Sequence, residues 1–363
     1  MAGNVRSIDT QRKINIPELN TLRFIFMVMI FFHHMNNATM FPPGGAIAVT
    51  FFFVLSGFVM TVGYRDKILQ PGFSYKTYII KRMTKFYPLH WLVLGVMICL
   101  YFRQYYYSDC FIAKLLTNFS LVQSFIPIRS FYFSFNSPSW YLCNTVFYCI
   151  LFPFICKAIS NSKQTARIAI LTGAISIYIL LVFFVPIEYH HAYIYINPFV
   201  RIFDFVFGIY AGLFFLGKCE SVQSNKQEFT LYSLIVILCF VILMLICFLY
   251  TELSFYTYIK RFYWIVIVPI ILCVSFISVG REAGGGKNVI VGLLRKGGEY
   301  SFTFYMIHVL CIGLFARLCN HFDMDIWWTT IISFTSTIIA SVICQKYFVE
   351  PVAKMLMNKI IKK

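Results

Sequence analysis

The chain has 363 residues, of which 60% are hydrophobic and only 12% are charged, and its formal net charge is +17. Soluble domains contain about 25% charged residues, so this composition excludes a soluble protein and indicates a polytopic membrane protein. The basic residues lie in short segments between apolar runs instead of forming one exposed face, so we expect no nucleic-acid partner.

Ten apolar runs are long enough to cross a lipid bilayer as helices, since a crossing needs about 17 to 25 mostly apolar residues. They lie near residues 19–36, 46–64, 86–102, 140–157, 168–185, 199–216, 230–250, 262–279, 300–316 and 326–348. The segment that resembles a signal cleavage site, Ala46-Ile47-Ala48, lies well beyond the first run, and Arg23 lies inside the run, so we interpret the run as a retained span. The sequence therefore predicts an all-α polytopic membrane protein with about ten transmembrane helices.

The charges between the runs predict the orientation of the chain. With the N-terminus inside, 23 Lys and Arg residues lie in inner segments and 6 in outer segments. This asymmetry places both termini in the cytoplasm. We expect a cytoplasmic N-terminal segment (1–18), a membrane domain (19–350) and a basic cytoplasmic tail (351–363). The long outer segment 103–139 is expected to contain an interfacial or re-entrant piece.

Neither a metal site nor a phosphate-binding loop is expected. Eight cysteines lie within apolar runs without metal-ligand spacing, and we interpret them as small buried hydrophobic residues; they are Cys99, Cys143, Cys149, Cys239, Cys247, Cys273, Cys311 and Cys344. The glycine-rich segment 280–288 lacks both the first glycine and the Ser or Thr of a phosphate loop.

The first run carries an arginine and two histidines. On an α-helix, Arg23 and His34 are separated by roughly 16 Å along the axis and only about 20° around it, so they share a face. His33 falls about 80° away, which favours His34 as the partner of Arg23 on that face. Titratable groups in a span usually face a partner or a wet cavity. Alternatively, Arg23 extends to the headgroups and the histidines lie at the far interface.

Five other segments place polar groups in or beside the spans, and most have an ordinary structural alternative. Ser56 with Gly57 would suit close helix packing, and Lys81, Arg82 and Lys85 would suit a positive-inside anchor. Trp140 fits an aromatic belt, and Arg201 and Asp204 have the spacing of an ion pair on one helix. The fifth segment contains Tyr305 and His308.

The order of these segments along the chain identifies a protein family more specifically than any one segment does. The series LNTLRFIFMVMIFFHH, FFFVLSGF, KRMTKFYPLHW, SPSWYL, RIFDFVFGIYAG, SFTFYMIH and a final Glu350-Pro351 resembles the membrane-bound acyltransferase 3 family from about residue 18 to 352. The resemblance implies a ten-span protein of the bacterial inner membrane. Members usually move acetyl from acetyl-CoA to sugar hydroxyls of envelope or exported glycans. The family's Arg-x10-His motif falls on Arg23 and His34, and its basic motif falls on Arg82 and Lys85.

Two positions depart from the family pattern. An acidic residue often precedes the family arginine by three positions, whereas this chain has Asn20. Many members carry a Glu shortly after the fourth-span tryptophan, but none is present around Asn144 and Thr145. These departures indicate a subgroup with a different acceptor.

The predicted topology sorts the candidate residues by depth. Arg23, Arg82 and Lys85 fall near the cytoplasm, Ser56 and His308 midway, and His34, Trp140, Arg201 and Asp204 toward the outer side. We therefore expect acyl-CoA to bind the inner cations and extend its thioester toward His34, the general base.

The expected substrate-side residues are Ser56, Trp140, Arg201, Asp204, Tyr305 and His308. A covalent acyl-histidine is a less favoured alternative.

Other functions fit the same spans. A glycan or lipid-linked sugar transporter would also have ten helices with internal charges. A catalytically idle relative that binds a glycan is a third hypothesis. If the chain is an enzyme, its expected partners are acyl-CoA, a polysaccharide or other glycan acceptor, the lipid bilayer and proteins of polysaccharide assembly.

Overall fold

The computed structural model describes residues 14–35, 44–219, 226–249, 255–281 and 289–361. The α-helices, in chain order, are α1 (Glu18–His34), α2 (Gly45–Leu69), α3 (Tyr75–Leu100), α4 (Phe102–Tyr106), α5 (Phe111–Phe119), α6 (Arg129–Tyr132), α7 (Ser139–Asn161), α8 (Gln164–Phe184), α9 (Pro198–Lys218), α10 (Lys226–Phe248), α11 (Tyr256–Ile259), α12 (Trp264–Arg281), α13 (Val289–Glu299), α14 (Ser301–His321), α15 (Ile326–Cys344) and α16 (Glu350–Ile361). Two π-helical segments (His190–Ile196 and Gln345–Val349) and two 3-10 turns (Gln123–Phe125 and Ile187–Tyr189) complete the helical structure, and these described ranges contain no strand.

The helices confirm the all-α polytopic fold. In the described part of the chain, 8 helices are long and apolar enough to cross a membrane, and α12 is a shorter apolar helix. Helix α1 has 17 residues and includes Arg23 and the histidine pair. Each of the ten predicted runs lies on one of these helices. The orientation of the termini and the three-part division stay predictions, and residues 1–13, 282–288 and 362–363 of the segments discussed above lie outside the described residues.

Helices α2 and α9 pack through glycines. A Cβ atom at Gly57 would overlap the carbonyl oxygen of Phe205, and one at Gly208 would overlap that of Val54. Small residues let two membrane helices approach until their backbones touch. The packing interpretation of the Ser56-Gly57 pair is therefore confirmed for Gly57.

Helix α1 lies between several neighbours, because it packs against α2, α12, α13 and α14. Its N-terminal end is fixed by Glu18, which accepts hydrogen bonds from Ser278 and Arg295. A Cβ atom at Gly298 of α13 would overlap the backbone of Asn20. The amphipathic helix α13 thus covers the end of α1 that carries Arg23.

The long segment between α3 and α7 forms short helices held by buried polar groups. His90 donates from Nε2 to the carbonyl oxygen of Asn118 at 2.8 Å, and Asn118 Nδ2 donates to Ser134 Oγ at 2.6 Å. Ser139 Oγ donates to Asn118 Oδ1 at 3.3 Å and accepts from Gln123 Nε2 at 3.1 Å. This network fixes the first turn of α7, which carries Trp140.

The prediction for the cysteines is wrong at Cys99, which is exposed on α3, and only partly right at Cys344, which is half-buried. An apolar run does not reveal which of its faces points outward, and the other six predicted positions are buried. All 12 cysteines are free, and the described residues contain no group of His, Cys, Asp and Glu able to hold a metal ion.

Candidate functional site

His34, in the last turn of α1, contacts His308 of α14. Nδ1 of His34 lies 2.9 Å from the carbonyl oxygen of Ile30, and Nδ1 of His308 lies 2.6 Å from that of Tyr305. A carbonyl oxygen only accepts, so each neutral ring carries its proton on Nδ1. Nε2 of His308 is then an acceptor for His34 Nδ1–H at 3.3 Å. This arrangement leaves the lone pair of His34 on Nε2, as a general base requires.

The two histidines lie at the same depth, with ring centroids 4.9 Å apart. The expectation that His308 lies midway across while His34 lies further out is therefore wrong. Helix α14 continues from His308 to His321, beyond the level at which α1 ends. Position along an apolar run is a poor measure of depth when helices end at different levels.

His34 lines an open pocket of about 290 Å³. This volume is at the lower end of the range of small-molecule sites. Of the sequence-predicted site residues, His34, Trp140 and Tyr305 line the pocket. The wall also contains three titratable residues that the sequence reasoning did not select, and these are His33, His191 and Tyr195.

His33 is exposed in this pocket although the helical projection placed it on another face. The absence of a side chain at Gly45 leaves room for the imidazole of His33, because a Cβ atom there would lie 2.5 Å from His33 Cδ2. The pocket spans the end of α1, so residues from two faces of the helix reach it. Angular separation alone does not exclude a residue at a helix end.

Tyr305 and Trp140 reach the pocket because the segment before α7 is attached to α14. The Tyr305 hydroxyl donates to the carbonyl oxygen of Pro138 at 2.9 Å, and Asn136 Nδ2 donates to that of Met306 at 3.0 Å. These two hydrogen bonds bring the start of α7 beside the histidine pair.

A group of three cations, which we call the Arg23 cluster, comprises Arg23, Arg82 and Lys85. Lys85 experiences the charges of both arginines. Arg82 lies over the ring of Tyr64, at 4.6 Å from its centre, and over that of Tyr78, at 5.6 Å. Within the described ranges, no carboxylate is within 4.0 Å of these three side chains. The cluster is therefore an uncompensated positive charge.

Arg23 donates from Nη1 to Asn20 Oδ1 at 2.5 Å. The asparagine that replaces the family's acidic residue thus supplies an acceptor without neutralising the charge. Arg23 and Tyr141 are half-buried and Lys85 is exposed, so these side chains keep accessible surface and are not packed in a core.

Tyr141 lies between the Arg23 cluster and the pocket wall. Its side chain lies near Ser56 and experiences the charge of Arg23, and its ring centroid is 5.1 Å from that of Tyr305. Ser56 is half-buried and does not line the pocket itself. Polar side chains therefore extend from Arg23 through Tyr141 to Tyr305, which lies beside His308.

A second group, the Arg201 cluster, comprises Arg201, Asp204 and Arg261. The predicted ion pair is confirmed, since Arg201 Nη1 lies 2.7 Å from Asp204 Oδ2 and both side chains are buried. Arg201 also donates to Thr50 Oγ1 at 3.1 Å. Arg201 and Asp204 lie behind the pocket wall and do not line it.

Sequence reasoning assigned Arg261 to an exposed outer segment, but only 3% of its surface is accessible. Its guanidinium lies 5.3 Å from the ring centre of Tyr195, and that of Arg201 lies 5.4 Å from the same ring. A charge-counting argument cannot find such a residue, because a cation next to a span is ordinarily solvated.

His191 lies on the π-helical segment between α8 and α9, outside the spans, and lines the pocket. Tyr132 Oη is 3.0 Å from its Nδ1. Desolvation, followed by the charges of Arg261, Arg129 and Lys260, lowers the pKa of His191 to about 4. His191 is therefore neutral at pH 7 and lies in a region of positive potential.

Asn144 occupies the region in which the family often has a Glu. Its Nδ2 donates to the carbonyl oxygen of Ile196 at 2.9 Å, in the buried core. This bond attaches α7 to the π-helical segment that carries His191 and Tyr195. The residue that departs from the family pattern, Asn144, thus makes a hydrogen bond that positions the pocket wall.

Comparisons with known proteins identify a family. A family model described as an acyltransferase domain matches residues 16–346. A relative, Acyltransferase MdmB from Streptomyces mycarofaciens, is 32% identical over 158 residues. This match spans 39% of the present chain and 39% of the relative, so the similarity covers well under half of either protein. No solved structure matches the chain.

Proposed function

The chain belongs to the acyltransferase family whose model spans residues 16–346, and we propose that it is a membrane O-acyltransferase. In this proposal it moves an acetyl or other short acyl group from acyl-CoA to a sugar hydroxyl of an envelope or exported glycan. The observation that carries the proposal is the contact between His34, which lines an open pocket, and the buried His308 behind it.

The Arg23 cluster supports acyl-CoA, with acetyl-CoA as the expected donor. Coenzyme A carries several phosphate charges, and guanidinium and ammonium groups bind phosphates by charge-assisted hydrogen bonds. Arg23, Arg82 and Lys85 have no carboxylate partner among the described residues, so they are available to such a ligand. In this proposal the acyl-bearing arm extends from the cluster past Ser56 and Tyr141 toward the pocket.

In the transfer step, His34 Nε2 takes the proton of the acceptor hydroxyl while the hydroxyl oxygen attacks the thioester carbonyl. The carbon–sulfur bond breaks, and the departing sulfur receives the proton from His34, which returns to its neutral form. The accepting Nε2 of His308 stabilises the imidazolium and holds the ring. His308 is therefore a positioning residue, and direct transfer is favoured over an acyl-histidine.

The remaining predicted residues have supporting roles in this scheme. Trp140 and Tyr305 line the pocket and would contact the acceptor, while Arg201 and Asp204 hold the wall behind Tyr195. The charge asymmetry favours cytoplasmic termini. The family resemblance supports a location in the bacterial inner membrane, where the protein would be surrounded by lipid and work with proteins of polysaccharide assembly.

The proposal is tested by mass spectrometry of envelope glycans from cells with the wild-type chain, without it, or with His34→Ala. We expect both the deletion and His34→Ala to lose one acetyl mass per modified sugar. A His321→Ala variant is the matched control, because His321 is an exposed histidine at the end of α14.

Two outcomes would contradict the proposal. Acetylation that persists in the His34→Ala cells at wild-type levels would remove the catalytic assignment of His34. If acylation does not change but the amount of exported glycan does, the transporter hypothesis would replace the enzyme.

A further inference from the structure

The Arg201 cluster contains two guanidinium groups and a single carboxylate. Asp204 pairs with Arg201 at 2.7 Å. Arg261 is equally buried, its Nε has no hydrogen-bond acceptor, and no described carboxylate lies within 4.0 Å of it. One positive charge of the cluster is therefore unpaired.

An unpaired buried charge is unfavourable. Its desolvation costs several kcal/mol in real proteins, and only a counter-charge or hydrogen-bond acceptor offsets that cost. Titratable groups of this kind in a membrane protein usually mark the path or the site of a substrate. An anionic group from outside the chain would provide the missing partner.

The surplus charge borders the pocket. Arg261 lies over the ring of Tyr195, which lines the pocket together with His34. Arg261, Arg129 and Lys260 all act electrostatically on His191, another residue of the wall. Arg129 and Lys260 also have no described carboxylate within 4.0 Å.

The only acidic residue of the segment that leads to His191 is Glu188, which is exposed and forms no ion pair with any described residue. Among the described residues, the charges that act on His191 are therefore the three cations Arg261, Arg129 and Lys260, which lie behind the pocket wall. The Arg23 cluster lies toward the opposite end of α1 from His34, so the two sets of cations serve different ligands.

We propose that the acceptor glycan is anionic and that its carboxylate or phosphate binds near Arg261, Arg129 and Lys260 while the reacting hydroxyl lies at His34. This inference rests on the proposed acyltransferase function and adds the chemical class of the acceptor. Arg261 is then a specificity residue for the acceptor and takes no part in the proton transfer.

The first test identifies the acylated glycan in wild-type cells by mass spectrometry and sugar analysis. We expect the acetyl group on, or next to, a sugar that bears a carboxylate or phosphate. Acetylation of a glycan without acidic groups would overturn the inference, while the proposed acyltransferase function would still hold. The absence of any acetyl difference between wild-type and deletion cells would instead refute the proposed function.

The second test measures transfer from acetyl-CoA to a matched pair of acceptors, a phenyl glucuronide and the corresponding phenyl glucoside, in membranes that contain the protein. We expect the wild type to have the lower KM for the glucuronide, and Arg261→Gln to raise that KM about tenfold or more. The KM for the glucoside should stay unchanged. Arg261→Lys, which keeps the charge, should recover part of the preference.

Arg317→Gln is the matched control. Arg317 is also a cation of the predicted outer side and lies over a tyrosine ring, at 4.6 Å from the centre of Tyr101, but it does not act on His191. An equal rise of KM for both acceptors in Arg261→Gln would overturn the inference, as would a wild-type preference for the glucoside.

Discussion

The Arg23 cluster and the Arg201 cluster both place cations within a membrane protein, but their environments differ. Arg23 is half-buried and Lys85 is exposed, and their cluster has no described carboxylate. Arg201 and Asp204 are almost fully buried and form an ion pair. Arg261 is buried beside them without a carboxylate of its own.

Hydration explains the difference. A cation that keeps some water needs no fixed partner and can exchange one anionic ligand for another. A cation stripped of water needs a counter-charge, because desolvation of an unpaired ion is costly. The Arg23 cluster therefore suits a ligand that binds and leaves, whereas the Arg201 pair belongs to the architecture of the fold.

The largest expected effect comes from the removal of the buried carboxylate. Asp204→Leu leaves two buried guanidinium groups without a counter-charge, so we expect the free energy of unfolding to fall by about 3–5 kcal/mol. The measurement is the thermal transition of the protein in detergent.

The matched comparison is Arg82→Met, a charge removal from the accessible cluster, which should change the transition little. The double variant Arg201→Met with Asp204→Leu should recover much of the lost stability, since it removes both members of the pair. If Arg82→Met lowered the free energy of unfolding as much as Asp204→Leu, the distinction between an accessible and a buried cluster would be contradicted.

A smaller effect is expected on donor binding. Joint replacement of Arg82 and Lys85 by Gln should raise the KM for acetyl-CoA about tenfold, because charge-assisted bonds to phosphate contribute roughly 1.5–3 kcal/mol each before screening. The thermal transition should stay near that of the wild type. Initial rates at varied acetyl-CoA concentration measure the change.

The salt dependence of the KM for acetyl-CoA provides a second test of this prediction. Between about 0.1 and 1 M salt the Debye length falls from about 10 to about 3 Å, so the wild-type KM should rise with salt more steeply than that of the double variant. Lys157 and Lys163 lie on the same predicted side outside the cluster, and their joint replacement by Gln is the control. If this control raised the KM as much, Arg82 and Lys85 would be plain topology signals.

The smallest effect concerns pH. The folded pKa of His191 is lowered to about 4, whereas an unfolded histidine takes up its proton near pH 6.5. The unfolded chain therefore binds this proton first as the pH falls, and the stability gained from neutral His191 is present above about pH 6.5 and lost toward pH 4. The effect is small because His191 is exposed and solvent screens the nearby cations.

His191→Gln should flatten the decline of the thermal transition between about pH 6.5 and pH 4. Arg261→Gln should flatten it partly, because it removes one of the cations that lower the pKa of His191. An unchanged pH profile in both variants would show that the outer cations do not act on this residue.

Some features of the candidate site could be predicted from local spacing. Arg201 and Asp204 are three residues apart on one helix, so their ion pair follows from helical geometry and is confirmed. Arg23 and His34 were selected by the same geometry, and the structure places His34 in the pocket wall and leaves Arg23 half-buried in the other half of α1. Their roles in catalysis stay predictions.

Other features could not be predicted in this way. His34 and His308 are 274 positions apart, and Arg261 reaches Tyr195 from a segment that looked solvated. Their proximity depends on how the helices pack and where each one ends. Tyr141 also went unselected, although it lies between the Arg23 cluster and the pocket wall.

The sequence by itself determined the all-α membrane fold, the positions of the ten apolar runs and the pairs within single helices, since apolar length and helical period are local properties. Only the tertiary structure decided which histidines touch, which arginine is buried without a carboxylate and which residues surround the pocket. Glycines at the α2–α9 contact and hydrogen bonds from α14 to the start of α7 produce these long-range arrangements. Their geometry is a property of packed helices and is absent from any single span.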